Sequence, residues 1–121
     1  MMKKVQNHTS VPDEDLVAYA TDSVLSDALE QEGARRKTVA GSLPVYRGVN
    51  RFSQWRNVSS WTDDLAEAWM WAGPDGSVLR ASIDPSSALA IITHEDDGDT
   101  MTEYVLGGPV SAIADGEVMS R

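Results

Sequence analysis

From residue 43 onward the chain breaks into short apolar runs separated by turn residues, and this texture limits the available architectures more than any other feature. The runs are LPVYRGV, VSSW, SVLRASI, ALAIIT, TEYVLG and VSAIA. Each is too short for an amphipathic helix and suits a strand. Between the second and third runs the pattern becomes helical over about 63 to 72. Thr62 is the expected N-cap, Asp63 and Asp64 occupy the first turn where the helix dipole favours acids, and Leu65, Ala68, Trp69 and Ala72 share one face. The helix should end at GPDG. Six strands interrupted by one helix predict an α+β domain.

Upstream, SVPDEDLVAYATDSVLSDALEQEG predicts a helix from about 12 to 31. Ser10 can cap it, Pro12 suits its first turn, and Leu16 or Val17, Ala20, Val24 and Ala28 recur at helical spacing, with Gly33 as the expected stop. Residues 1 to 9 are polar and are expected to be frayed, and ARRKTVAGS reads as a solvated connection. A length of 121 residues with 41% apolar content suits a single domain over 1–121.

Composition removes several function classes. With no cysteine, disulfide scaffolds, zinc ribbons and thiol catalysis are excluded. The opening MMKKVQNHTSVPDED has lysines but no apolar stretch behind them, so no signal peptide is expected, and no run approaches a membrane span. A cytoplasmic protein is the expectation. The net charge of −9 disfavours direct contact with nucleic acid or anionic lipid and leaves small molecules and basic proteins as partners. There is no Gly-rich phosphate loop, no dinucleotide-fold fingerprint and no serine nucleophile elbow. His8 falls in the tail and His94 in an acidic loop, neither with a partner at metal-ligand spacing, so no metal is expected. The cluster EDDGD lacks EF-hand spacing and reads as a turn. The four tryptophans, Trp55, Trp61, Trp69 and Trp71, are read as core more often than as ligand platform, with Trp61, between two hydroxyls, as the foremost exception.

Three polar groups remain on strand-like runs in a fixed order: Arg47 in VYRGV, Ser60 in SSWT and Glu103 in TEYVLG. An arginine within an apolar run is costly unless it meets an anion, from a protein carboxylate or a ligand phosphate. Gly48 after it would let a ligand approach the backbone. Glu103 could stabilise positive charge developing on a substrate. Each also has an ordinary reading, as an ion-paired strand arginine, a capping hydroxyl and an edge-strand charge.

In this combination the chain resembles the ADP-ribosyltransferase superfamily, in its Arg-Ser-Glu branch of small bacterial toxins and phage proteins. The resemblance spans about residues 43 to 114: VYRGV is similar to the arginine strand, SSWTDDLAEAWMWA to the Ser-x-Ser/Thr strand with its helix, and TEYVLGG to the glutamate strand. It implies a split antiparallel β-sandwich and mono-ADP-ribosyl transfer from NAD to a protein, as a toxin or phage effector against host machinery. It further implies that Arg47 binds the phosphates and ribose of NAD, Gly48 the nicotinamide amide, and that Ser60 positions the ribose and orients Glu103. Thr62 would brace the strand, Trp61 would lie at the cofactor, and Glu103 would stabilise the ribosyl cation, as carboxylates do in glycoside cleavage. Met101 stands where arginine-modifying members carry Glu or Gln, so the implied acceptor is not a guanidinium. Two alternatives stay open: a catalytically silent acidic inhibitor that covers a basic or nucleic-acid-binding surface, and an NAD glycohydrolase with water as acceptor. The acids of HEDDGDTM, before the glutamate strand, suit an acceptor protein with a basic surface.

Overall fold

A computed structural model describes residues 2–18, 27–53, 55–96, 98–116 and 118–119. In chain order the elements are β1 (Met2–Asn7), α1 (Asp13–Ala18), α2 (Asp27–Arg35), β2 (Ala40–Val49), β3 (Val58–Thr62), α3 (Leu65–Ala72), β4 (Ser77–Ile83), a 3-10 turn (Pro85–Ser87), β5 (Ala90–Asp96), β6 (Asp99–Gly107), α4 (Val110–Ile113) and β7 (Val118–Met119). The strands form one antiparallel sheet of seven in the order β1-β5-β6-β3-β2-β4-β7, so the α+β class holds. No helix among the described residues is long and apolar enough to cross a membrane.

Strand alternation sorts the core into two faces. On one face Val45 of β2, Trp61 of β3, Ala81 and Ile83 of β4 and Tyr104 and Leu106 of β6 pack with Val110 of α4. On the other face, Val58, Ile92 and Val105 meet Leu16 of α1 and Leu29 of α2, while Val78 of β4 meets Ala68 and Ala72 of α3. The expected apolar face of α3 is therefore the buried one.

The structure corrects four expectations, each for a local reason. Residues 2–7, expected to be frayed, form an edge strand paired with β5 from Met2↔Glu95 to Asn7↔Ala90. Among its described side chains Val5 is the packed apolar one, and the run is held by its ladder and by a polar knot after it. Asn7 Oδ1 accepts from Thr9 N and Thr9 Oγ1, both at 2.8 Å, and His8 N donates to Leu89 O at 2.9 Å. The helix expected over about 12 to 31 is represented by α1 and α2, and its middle, 19–26, lies outside the described residues. Ser10 does not cap α1 but donates to Glu32 Oε1 on α2 at 3.0 Å.

Gly33 does not stop a helix; it lies inside α2, where an added Cβ would overlap Asn57 O and Val58 Cγ2. Glycine there lets α2 sit directly on β3, and Gly107 opposite has the same tight clearance. Lastly, VSAIA is helical rather than extended. Gly108 at φ 106° turns the chain, Pro109 starts the turn, and Val110 and Ile113 then meet the core one helical turn apart.

Arg36, within the stretch expected to be a solvated connection, is a staple: its guanidinium donates to Ser86 O at 2.6 Å and to Ser87 O at 3.3 Å.

If the α2–β3 contact is set by Gly33, Gly33→Ala should cost about 1–3 kcal/mol through overpacking, although alanine is the better helix former. Urea unfolding of the two proteins checks this, and an unchanged or raised midpoint would show that α2 is free to shift.

Candidate functional site

Ser60, Thr62 and Glu103 come together because of register. β3 and β6 pair from Val58↔Gly107 to Thr62↔Glu103, which puts Ser60, Thr62 and Glu103 on one face and Trp61 and Tyr104 on the other. Ser60 Oγ donates a short hydrogen bond to Glu103 Oε2. On the far side, β5 and β6 pair Ile92↔Glu103 and His94↔Met101, so His94 is the diagonal neighbour of the carboxylate. His94 Nε2 lies 3.1 Å from Glu103 Oε1. Glu103 is 0% exposed, and the His94 side chain, at 18%, is the more open end of the trio.

Arg47 enters from a break in the sheet. β2 pairs with β4 along most of its length, from Ala40↔Ile83 to Val49↔Ser77, but meets β3 only at Tyr46↔Thr62. Beside that pair, Arg47 Nη1 donates to Ser60 O at 3.0 Å. A side-chain N–H thus takes the place of a ladder N–H where the strands part. An unsatisfied buried carbonyl costs about 1–3 kcal/mol, so Arg47 has a structural role whatever else it binds.

The turn from β3 into α3 locks the other side of the break. Thr62 Oγ1 accepts from Asp64 N at 3.0 Å, and Asp64, not Thr62, is the N-cap, taking Ala66 N at 2.9 Å and Glu67 N at 3.4 Å. Gly73, at φ 76°, ends the helix as expected. Helix α3 then lies on β2 so closely that a Cβ on Gly48 would overlap Ala68 O. Packing of α3 therefore accounts for Gly48, beside whatever its backbone offers a ligand.

Three tryptophan expectations are reversed. Trp61, the expected platform, is 0% exposed in the core, its ring N–H donating to Ser59 Oγ at 2.7 Å, so no ligand can stack on it. Trp55, expected in the core, is 64% exposed, and Trp71 is also exposed. Strand alternation explains the first result, because Trp61 must face away from both Ser60 and Thr62.

Sequence reading placed His94 in an acidic loop and missed its contact with Glu103. The signal was the dipeptide Asp-Gly in the sequence, a hairpin cue; 96 pairs with 99, and counting back puts His94 beside Met101 and diagonal to Glu103.

A cavity of about 430 Å³ is lined by Trp55, Leu79, Pro109, Val110, Ala114 and Val118 among others. Leu79 is the cross-strand partner of Arg47, but Arg47, Ser60 and Glu103 are not among the walls of this space. Among the described residues no group of three or more His, Asp or Glu is placed to hold a metal ion.

The site can therefore present a buried carboxylate held from two sides, a hydroxyl able to exchange partners, and a guanidinium at a break in the sheet. Compared with family models, curated proteins and solved structures, the chain matches none.

Tyr104 supplies a pH test of this geometry. Its phenol donates to Asp63 Oδ2 at 3.3 Å, and burial first, then the Asp63 charge and hydrogen bond, raise its pKa above the ordinary tyrosine value. A raised acid favours the protonated form in the folded state, so the contribution is full below about pH 10 and is lost as pH rises through the folded value. Urea unfolding from pH 8 to 11.5 should show wild type losing stability faster above pH 10 than Tyr104→Phe. Parallel curves would mean that the phenol is not held by Asp63.

Proposed function

We propose that the chain is an NAD-dependent mono-ADP-ribosyltransferase with a split antiparallel β-sandwich of the ADP-ribosyltransferase type. The observation that carries this reading is that Arg47, Ser60 and Glu103, in that order along the chain, meet at one junction of the sheet, the Ser60 hydroxyl held by Glu103 on one face and its carbonyl by Arg47, whose register partner Leu79 packs on the other. The single register pair between β2 and β3 supports a sheet split at that junction.

In the proposed reaction Arg47 binds the diphosphate and adjoining ribose, Gly48 offers backbone to the nicotinamide amide, and Ser60 holds the nicotinamide ribose while Thr62 braces its strand. Glu103 accepts the ribose 2′-hydroxyl. The bond between the anomeric carbon and the nicotinamide nitrogen breaks, its electron pair leaves with nicotinamide, and the ribosyl cation forms against the carboxylate. A lone pair of the acceptor closes the new bond and the acceptor gives up a proton. Met101 offers no polar partner to a guanidinium acceptor. The hairpin acids Glu95, Asp96, Asp97 and Asp99 favour a protein with a basic surface, as expected of a toxin or phage effector. With water as acceptor the same steps make an NAD glycohydrolase.

The full burial of Glu103 favours a second reading, a catalytically silent acidic inhibitor of a basic or nucleic-acid-binding partner. Catalysis requires Ser60 to turn aside so that ribose reaches the carboxylate; inhibition does not.

Incubation with NAD labelled in its adenylate half and a cell lysate separates these outcomes. Label on a protein band supports transfer and free labelled ADP-ribose supports hydrolysis. Intact NAD with a stoichiometric, salt-sensitive complex supports the inhibitor. For the enzyme, Glu103→Gln should lower nicotinamide release about 100- to 1000-fold while circular dichroism stays unchanged. Undiminished release would remove Glu103 from the chemistry.

A further inference from the structure

The proposed reaction uses one side of the Glu103 carboxylate, yet both of its oxygens are engaged. Oε2 takes the Ser60 hydroxyl, and Oε1 faces His94 Nε2 at 3.1 Å. A carboxylate only accepts, so Nε2 carries a proton in this contact. Two forms of the ring satisfy it: the neutral Nε2–H tautomer and the imidazolium. They hold the carboxylate alike but differ in charge, the pair carrying −1 in the first case and 0 in the second.

We propose that His94 is the positioning residue of Glu103, fixing the carboxylate through Oε1 so that it keeps one orientation toward a developing cation. The part concerning turnover rests on the transferase reading above; the contact between ring and carboxylate does not. Register makes the contact specific, because β5 places His94 diagonal to Glu103 while Ile92 stands directly opposite it. The imidazole side chain is 18% open to solvent, whereas the carboxylate is sealed.

In the ladders His94 pairs with Lys3 of β1 on one side and Met101 of β6 on the other. Among the described residues Glu103 is the group in hydrogen-bond contact with the ring.

The test uses the full chain in two measurements. In the first, NMR follows the ring protons of His94, separated from those of His8 by comparison with His94→Gln. The Nε2–H resonance should move upfield in Glu103→Gln relative to wild type, since a neutral amide is a weaker acceptor than a carboxylate. An unmoved resonance overturns the contact, whatever the chain does with NAD.

In the second, kcat and KM for nicotinamide release are measured. His94→Ala should lower kcat about 10- to 100-fold, the usual effect of removing a hydrogen bond to a charged group, with KM for NAD changed much less. His94→Gln, which keeps an N–H donor, should recover most of that loss. His94→Ala equal to wild type, or His94→Gln as slow as His94→Ala, overturns the role in turnover. A shifted NMR resonance with no release of nicotinamide by wild type supports the contact and counts against the transferase reading alone.

Discussion

The constraint on which the sheet depends is the burial of Glu103. Removing an ionised carboxylate from water costs several kcal/mol even after relaxation, and the cost is tolerable only where hydrogen bonds replace the lost solvent. Here one donor comes from Ser60 on β3 and the other from His94 on β5, so the carboxylate ties together the three strands β5, β6 and β3. A slip of one residue in either ladder would turn Glu103 into the apolar cluster around Trp61 and leave both donors without it. The polar trio therefore specifies register in a way that the valines and isoleucines beside it, interchangeable in chemistry, do not.

The same logic extends across the break between β2 and β3. Where two strands part, backbone groups lose ladder partners, and the Arg47 guanidinium reaches the Ser60 carbonyl from outside the ladder. Ser60 is thus held at both ends, its carbonyl by Arg47 and its hydroxyl by Glu103. One residue pair further along, Thr62 directs the chain through Asp64 into α3, and α3 returns to cover Gly48, next to Arg47. The break is closed by side chains and a helix instead of by strands. A site built this way is rigid in position yet has no ladder hydrogen bonds to disrupt when a ligand enters.

How much of this was legible in the sequence follows from the range of each interaction. Local rules found α3, its buried face and its glycine stop, because spacing, dipole and chain reversal all act within a few residues. They also found Arg47, Ser60 and Glu103 as polar groups set in apolar runs. The cap went astray by two residues, since Thr62 and Asp64 are equally good capping types and only the geometry of the turn chooses Asp64. β1 was missed because its hold lies in pairing with β5, more than eighty residues away, and Val5 is the one packed apolar group among its described side chains. Gly33 illustrates the same limit: a glycine that permits close packing cannot be told by composition from one that ends a helix. His94 lay between these cases, since hairpin arithmetic reaches it while pattern matching on histidine spacing does not.

Electrostatics at two length scales then decides what such a site can attract. A chain of net charge −9 repels an anion such as the NAD diphosphate at long range, but at physiological salt that field is screened within about 8 Å. Within that distance the local charges dominate, and a guanidinium at the break can hold a diphosphate that the molecule as a whole does not draw in. A basic protein experiences the opposite order of effects: it is steered by the whole acidic surface and meets the acids of the β5–β6 hairpin, on the same strands as His94 and Glu103. On the transferase reading the acceptor is thus selected by the field of the protein and the donor by one side chain. On the inhibitor reading the long-range field alone is sufficient, and Arg47, Ser60 and Glu103 are explained by the break that they close.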